Sequence, residues 1–354
     1  MRVRAGLIGA MVPTLLIAAC DSATPDAQPS PSLSSPSLSS PTTPLPTEAS
    51  ARPPGAVTIA VAGDIHFEGV LRERLDDPAT ALAPVTATLA GADLAIVNLE
   101  TSVGAGGRPD PTKRFTFQAP ASAFDALSAA GIDVVTMANN HALDYGRAAL
   151  ASTFAAIDEG PVAVVGIGRD ARAAFDPAMT DIRGTVVATI GATVADQDPT
   201  ADPTGSWAAT RTSPGTADAL RPARLLRAVG RADVAADVVV VYMHWGIQGE
   251  RCPSDDQRSL AAELVARGAD VVVGSHAHVV QGGGAVGPGY VAYGLGNYVW
   301  YQPSDTGALT LTVQPSAERG GRATVTDAAW EPARIGTDGL PVTVGAPRSL
   351  DTPC

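Results

Sequence analysis

The chain has 354 residues, 45% hydrophobic and 17% charged, so most of it can bury a core and it is not disordered throughout. Its formal charge of −12 excludes the basic surface that non-specific nucleic-acid binding needs, so no nucleic-acid partner is expected. Lys113 is the only lysine. An arginine and alanine bias of this kind follows from a GC-rich genome and carries no functional signal.

In chain order, Arg2 and Arg4 precede an apolar run of 15 residues, Ala5 to Ala19. That is short for a membrane span and suits the core of a signal peptide. The run ends Leu16-Ile17-Ala18-Ala19-Cys20, which resembles the bacterial lipobox. Residues 1–19 are then a lipoprotein signal peptide. A lipid on Cys20 would hold the mature chain at the cell membrane, on its extracytoplasmic side. The alternative is an ordinary signal peptide cut after a small residue. Cleavage removes Arg2 and Arg4 and takes the charge from −12 to −14. Residues 20–55 are dense in Pro, Ser and Thr and repeat PSLSS. Such a segment cannot bury enough surface to offset its ordering entropy, so it reads as a disordered spacer. Outside the cytoplasm, Cys252 and Cys354 can oxidise to a bridge that pins the chain end; the alternative is two free thiols.

From residue 56 on, β-branched runs alternate with Ala/Leu-rich stretches. The strand candidates are 57–63, 92–98, 133–139, 161–167, 185–191, 237–243, 270–275 and 290–296. Helix-like stretches lie at 79–92, 120–131, 146–160, 217–232 and 255–268. Near-continuous apolar strands imply burial on both faces, and crossover helices imply mostly parallel pairing, hence α/β layers. Runs at 308–314, 322–335 and 341–345 read as antiparallel strands, so residues 303–354 would complete the domain formed by 56–302.

All five histidines fall just past a strand candidate. Asp64 and His66 follow the first, Asn98 and Glu100 the second, and Asn140, His141 and Asp144 the third. His244 follows the sixth, His276 and His278 the seventh, and Asn297 the eighth. That edge of a parallel sheet is where open α/β folds carry their sites. In Asp-x-His and His-x-His, residues two apart on an extended chain point the same way and can face one ion. A mixed nitrogen and oxygen donor set suits Mn, Fe or Zn. Seven potential ligands exceed what one tetrahedral ion needs, which points to two divalent ions. The bland reading, packed or capping residues, would have to hold for five separate elements at once. No Walker A loop and no Gly-x-Ser-x-Gly elbow is present, and Cys252 has no local sign of a catalytic thiol.

GDIHFEG (63–69), NLETSV (98–103), ANNHALDYG (138–146), HWGIQGE (244–250), GADVVVGSHAHVVQG (268–282) and YGLGNYVW (293–300) together resemble the CapA family. These are poly-gamma-glutamate capsule synthesis proteins, relatives of the calcineurin-like metallophosphoesterases. The resemblance implies a four-layer α/β/β/α sandwich of the metallophosphoesterase type. It implies that Asp64, His66 and His278 bind one ion and that Glu100 bridges both. Asn140, His244 and His276 would hold the second ion. His141, oriented by Asp144, would act as acid or charge stabiliser. Glu100 stands where classical phosphoesterases have Asp, and the longer carboxylate would change metal spacing. The implied function is work on a capsule polymer or with its synthesis machinery, by metal-dependent hydrolysis. The alternatives are a non-hydrolytic grip on a polyanion, action on an unrelated phosphoester, and a vestigial site. Arg114, Arg147 and Arg251 could assist polymer binding, although ordinary solvation or surface pairing accounts for them better, and Trp245 and Trp300 could line a groove, although packing accounts for them at least as well.

Overall fold

Strand β1 (Val57–Ile65) is apolar at nearly every position, and its residues split by parity between two cores. Ile59 and Val61 point one way, Ala60 and Ala62 the other. The same division runs through β2 (Leu94–Leu99), β3 (Val134–Thr136) and the edge strand β4 (Ala163–Val165). These four pair in parallel. The computed structural model describes residues 55–318, 320–351 and Cys354. The expected signal peptide, Cys20 and the spacer up to residue 54 lie outside the described residues.

A second sheet follows. It contains β5 (Ala178–Ile182), β6 (Thr185–Thr193), β7 (Val238–Trp245), β8 (Val271–His276), β9 (Val280–Val286) and β10 (Gly289–Leu295). Its spatial order is β9-β10-β8-β7-β6-β5, parallel in the centre and antiparallel at both edges. The edge strands β5 and β9 escaped the sequence reading. The first has polar alternation and the second is glycine-rich (VQGGGAV), so neither carries the β-branched run that marks a buried strand.

The chain then returns to the first sheet. Strand β11 (Asp305–Gln314) pairs antiparallel with β1, followed by β12 (Thr324–Ile335) and β13 (Pro341–Thr343). The C-terminal strands thus extend the sheet that begins at Val57. Cys252 and Cys354 are joined by a disulfide with their Cα atoms 5.7 Å apart, which fastens the chain end to the loop after β7.

Three apolar cores separate four layers. The central core joins Ile59, Val61, Ile96 and Leu309 of the first sheet to Val187, Val240, Tyr242 and Val273 of the second. An outer core packs α1 (Ser122–Ala129) and α2 (Leu150–Glu159) on the far face of the first sheet, through Phe124, Leu127 and Phe154. The other outer core packs α3 (Ala223–Ala235) and α4 (Asp255–Arg267) on the second sheet, through Leu225, Val229, Leu260 and Leu264. The fold is therefore a four-layer α/β/β/α sandwich. The helix expected over 79–92 is largely a pair of short turns, Ala83–Val85 and Thr86–Leu89. Pro84 at the start and Gly91 near the end confine it, and no longer apolar face is available to bury.

Helix α4 shows why local sequence suffices elsewhere. Ser254 caps Gln257 N–H at 3.2 Å, and Gln257 Oε1 accepts from Ser254 N–H at 2.9 Å, a reciprocal box. Gly268, at φ 129°, ends the helix in a conformation that disfavours a side chain.

The two sheets close most tightly at the C-terminal end of β1. Asp64 N–H donates to Gly296 carbonyl at 3.0 Å, and a Cβ on Gly63 would fall 1.7 Å from that same oxygen. The backbone itself blocks the space, so relaxation is costly. Gly63→Ala should destabilise the chain by at least about 3 kcal/mol. Denaturant unfolding measures it, with Gly55→Ala, which meets nothing within 4 Å, as the neutral control.

Candidate metal centre

The parallel strands of both sheets end at one edge, and their last residues carry the site. Asp64 closes β1, Glu100 follows β2, His244 lies near the end of β7, and His276 ends β8. All four are fully buried. Two groups of donor atoms converge, each within 4.8 Å: Glu100, His244 and His276 in one, and Asp64, Glu100 and His278 in the other. Glu100 is common to both.

Glu100 decides whether a cation fits. Both of its carboxylate oxygens are buried and lack a hydrogen-bond partner. Its nearest cationic candidates are ring nitrogens, His244 Nε2 at 3.6 Å and His141 Nε2 at 3.8 Å. Burial, then the charge of Asp64, pushes its pKa well above the usual carboxylate range. An unpaired buried carboxylate costs several kcal/mol. A divalent ion beside it would remove that cost, so the donor set fits a divalent metal.

The imidazoles are in the form that can ligate. Burial, then the neighbouring His276, holds His244 well below its usual pKa. Burial also lowers His276, against the pull of Asp198. Burial opposes ionisation of Asp64, but the hydrogen bond with His278 and the nearby His244 outweigh it, and Asp64 stays below the usual carboxylate range.

Further contacts fix these groups. Asn98 Nδ2 donates to Asp64 Oδ1 at 2.7 Å, and Asn140 Oδ1 lies 2.8 Å from His244 Nε2. His278 Nδ1 lies 2.7 Å from Asn297 Oδ1, and His276 Nε2 lies 3.1 Å from Asp198 Oδ2. Ligating histidines are commonly oriented by such carbonyl and carboxylate partners.

The His-x-His expectation needs correction. His276 and His278 do not share an extended backbone facing one ion. Their φ angles are 92° and 57°, in the region that non-glycine residues avoid, and they belong to different groups. Strain of this sort costs about 1–3 kcal/mol and is held only where surroundings over-determine it. Here His276 N–H donates to Asp64 Oδ2 at 3.2 Å, which ties the turn to β1.

His66 also differs from its implied role. It stands outside both convergent groups. Its Nδ1 accepts from Glu68 N–H at 2.9 Å, and a backbone amide can only donate. Burial holds the ring well below its usual pKa, so it is neutral with one hydrogen, which therefore sits on Nε2. Nε2 is buried and without a partner. Ligation through Nε2 would move the hydrogen to Nδ1 and set it against the Glu68 amide. The ring is walled by Phe117 (centroids 4.8 Å apart), Trp300 (4.0 Å) and Tyr301 (4.6 Å).

His141 and Asp144 come together with a residue that composition had dismissed. His141 Nδ1 lies 2.6 Å from Asp144 Oδ2, and Phe117 N–H donates to the same oxygen at 2.6 Å. The only lysine, Lys113, has its side chain fully buried here. It pairs with Asp144 Oδ1 and donates to the Asn140 carbonyl. Burial pushes Asp144 up to about 7, with Lys113 restraining the rise. Lys113 and Asp198 lie in loops outside the strand ends, so no spacing rule flagged them. A lone lysine in a chain otherwise built with arginine was the available signal for the first.

Of the other candidates, Trp300 lines the site, edge-on to His66 and 4.9 Å from His278. Trp245 does not: it is fully buried over Gly274, its indole N–H donating to the Tyr293 carbonyl at 2.7 Å. Arg114 pairs with Asp202 at 3.3 Å, and Arg147 donates to the carbonyls of Ser206 and Pro214. Both hold loops, and Arg251 is exposed beside Cys252.

Residues 58–302 match the family model described as bacterial capsule synthesis protein PGA_cap. The chain belongs to this family. It is 34% identical over 181 residues to the capsule biosynthesis protein CapA of Bacillus anthracis, covering 50% of this chain and 42% of that one. It is 33% identical over 173 residues to the PGA biosynthesis protein CapA of Bacillus subtilis, covering 48% and 43%. The match thus spans less than half the length of those PGA_cap relatives. A phosphatase from Mycoplasma pneumoniae aligns over 79% of this chain and 93% of its own, at 11% identity and a TM-score of 0.47.

Two outcomes are expected for this PGA_cap centre. Asp64→Ala and His278→Ala should each lower bound metal, counted by elemental analysis of protein reconstituted with Mn or Zn. His66→Gln should keep the wild-type stoichiometry, and loss of an equivalent would return His66 to the ligand set. Separately, Lys113→Met leaves Asp144 buried without its cation and should cost about 3 kcal/mol of stability. Adding Asp144→Asn should restore most of it in chemical denaturation, since the uncompensated charge is then gone.

Proposed function

We propose that this chain is a lipid-anchored, two-metal hydrolase serving the synthesis or export of an anionic capsule polymer of the poly-gamma-glutamate type. The observation that carries the chemistry is the buried, unpartnered carboxylate of Glu100 shared by two converging donor groups. The capsule and PGA biosynthesis proteins of Bacillus that this chain resembles support the polymer. The lipid anchor rests on Arg2, Arg4, the apolar run and Cys20.

In this reading Asp64, Glu100 and His278 would hold one ion, and Glu100, His244 and His276 the other, with the Asn140 amide oxygen beside His244. Such ions would supply Lewis acidity and activate water. The protein moves the proton. Asp144 holds His141 by Nδ1, which leaves Nε2 on the side of Glu100, 3.8 Å from Oε1. Burial, then the charge of Lys113, holds the His141 pKa well below its usual value, so the ring rests neutral, and Nε2 takes up a proton from the attacking water and passes it to the departing group. His66 Nε2–H is a further buried donor, free to bind a substrate oxygen. Phe117 stacks on His141 at 4.2 Å and on His66 at 4.8 Å, and this ring holds the two donors side by side and dry.

This proton-handling triad favours hydrolysis over a passive grip on carboxylates, which would need no acid. Reconstituted protein should turn over a generic phosphoester or poly-gamma-glutamate, and chelator should abolish it. His141→Ala should retain metal and lose at least 100-fold in kcat, a usual general-acid contribution of about 10²–10⁴. Polymer binding without turnover under any of Mn, Fe or Zn would overturn the hydrolase and leave the non-hydrolytic accessory.

A further inference from the structure

An acidic protein carries one concentrated basic cavity. Between residues 211 and 232 the chain has five arginines and a single acid, Asp218, although its total charge is −12. Four of them, Arg211, Arg224, Arg227 and Arg231, join Arg172 in lining a cavity of about 780 Å³, together with Phe175, Asp170 and Asp176. All five arginines are exposed. Arg224, Arg227 and Arg231 follow each other at three and four residues along α3, and so form one row on its outer face. The opposite face buries Leu225, Ala228, Val229 and Ala232 against the second sheet.

The charges are not used within the protein. Among the described residues, the side chains of Arg211, Arg224, Arg227 and Arg231 form no ion pair and no hydrogen bond. Arg172 reaches Asp176 only at 3.9 Å, and Asp170 is occupied as a cap for the amides of Arg172 and Ala173. Like charges at this spacing repel by about 0.2–0.5 kcal/mol per pair in an isolated helix. A row kept at that cost, facing a cavity, matches an anionic ligand better than it matches solvent.

Its position ties it to the metal centre. Helix α3 runs into β7 through two residues, so it lies antiparallel to that strand. Its Arg224 end is therefore at the sheet edge that carries His244. Asp218, in the same loop, bridges to Thr193 at the end of β6, and Thr193 Oγ1 donates to the His244 carbonyl at 3.2 Å.

We infer that this arginine-lined cavity is a second binding site for the proposed capsule polymer, holding a run of carboxylates of a polyglutamate chain as it leads to the metal centre. The site rests on the polymer assignment made above. Guanidinium groups pair carboxylates bidentately. From Arg224 to Arg231 the helix rises about 10 Å. An extended gamma-linked glutamate, with five backbone bonds per unit, repeats about every 6 Å. The row therefore spans two to three successive carboxylates. Elsewhere the acidic surface repels such a chain, which confines binding to this face.

The test uses fluorescently labelled poly-gamma-glutamate and anisotropy, at low salt with chelator present so that the metal centre does not contribute. The wild-type chain should bind, with affinity falling steeply as salt rises. Arg224→Glu/Arg227→Glu/Arg231→Glu should weaken binding more than tenfold at an unchanged melting temperature. Arg224→Gln/Arg227→Gln/Arg231→Gln, milder for folding, should weaken it in the same direction. Arg348→Gln, at an exposed arginine outside the cavity, should bind as wild type. Binding within twofold of wild type in the neutralised variant overturns the site, as does preference for polyphosphate or DNA over polyglutamate. Absence of any polymer binding in chelator also overturns it, while metal stoichiometry and turnover, measured separately, still decide the hydrolase.

Discussion

A carboxylate with no hydrogen-bond partner sits where the parallel strands of two mixed sheets end. Glu100 is fully buried, both of its oxygens are unsatisfied, and the residues around it are arranged as if for a charge. Left alone, such a group is among the costliest a fold can carry. Its neighbours cannot relieve it: burial keeps His244 neutral, and Asp64 is held ionised. A bound divalent cation would relieve it. Ion binding and the stability of this edge are then one quantity, since a ligand that binds only the folded state stabilises it by mass action.

The rest of the edge serves that geometry. Gly63 allows the Gly296 carbonyl to press on β1, which brings Asp64 under the His276 amide. His276 and His278 hold left-handed backbone angles that a free loop would not keep. Asn98 bridges Asp64 and His244, Asn139 donates to Asn98 Oδ1 at 3.0 Å, and Asp198 steadies His276. These partners remove freedom from the donors before any ion arrives, so less ordering remains to oppose binding.

A separate polar chain runs beside it. Lys113, Asp144 and His141 share one buried cluster, walled by Phe117 and with the Trp207 ring 4.6 Å from the Lys113 ammonium. Lysine satisfies Asp144 and, together with burial, disfavours a positive His141, which keeps that ring neutral at rest. Charge is handled in the same local manner on the outer face of α3, where arginines gather in a protein whose balance is acidic. A net charge describes long-range repulsion; it does not describe where a ligand sits.

Local pattern by itself determined the core strands along the chain, the α3 and α4 helices and the strand ends where ligands gather. Apolar runs and parity are properties of a few adjacent residues, and caps such as Ser254 with Gln257 close over three positions. It also determined which histidines, acids and amides stand at that edge. Tertiary structure alone decided how they divide. It turned His276 and His278 through left-handed backbone angles, where spacing alone had put them on one extended run. It set His66 aside as a donor, because the Glu68 amide claims Nδ1. It drew in Lys113 and Asp198 from loops whose path no periodicity encodes. It assembled Arg172 and Arg211 with the α3 row, residues far apart in sequence, into one cavity. A side chain's residue type limits the chemistry it can do, but which atom faces which partner depends on contacts between distant segments.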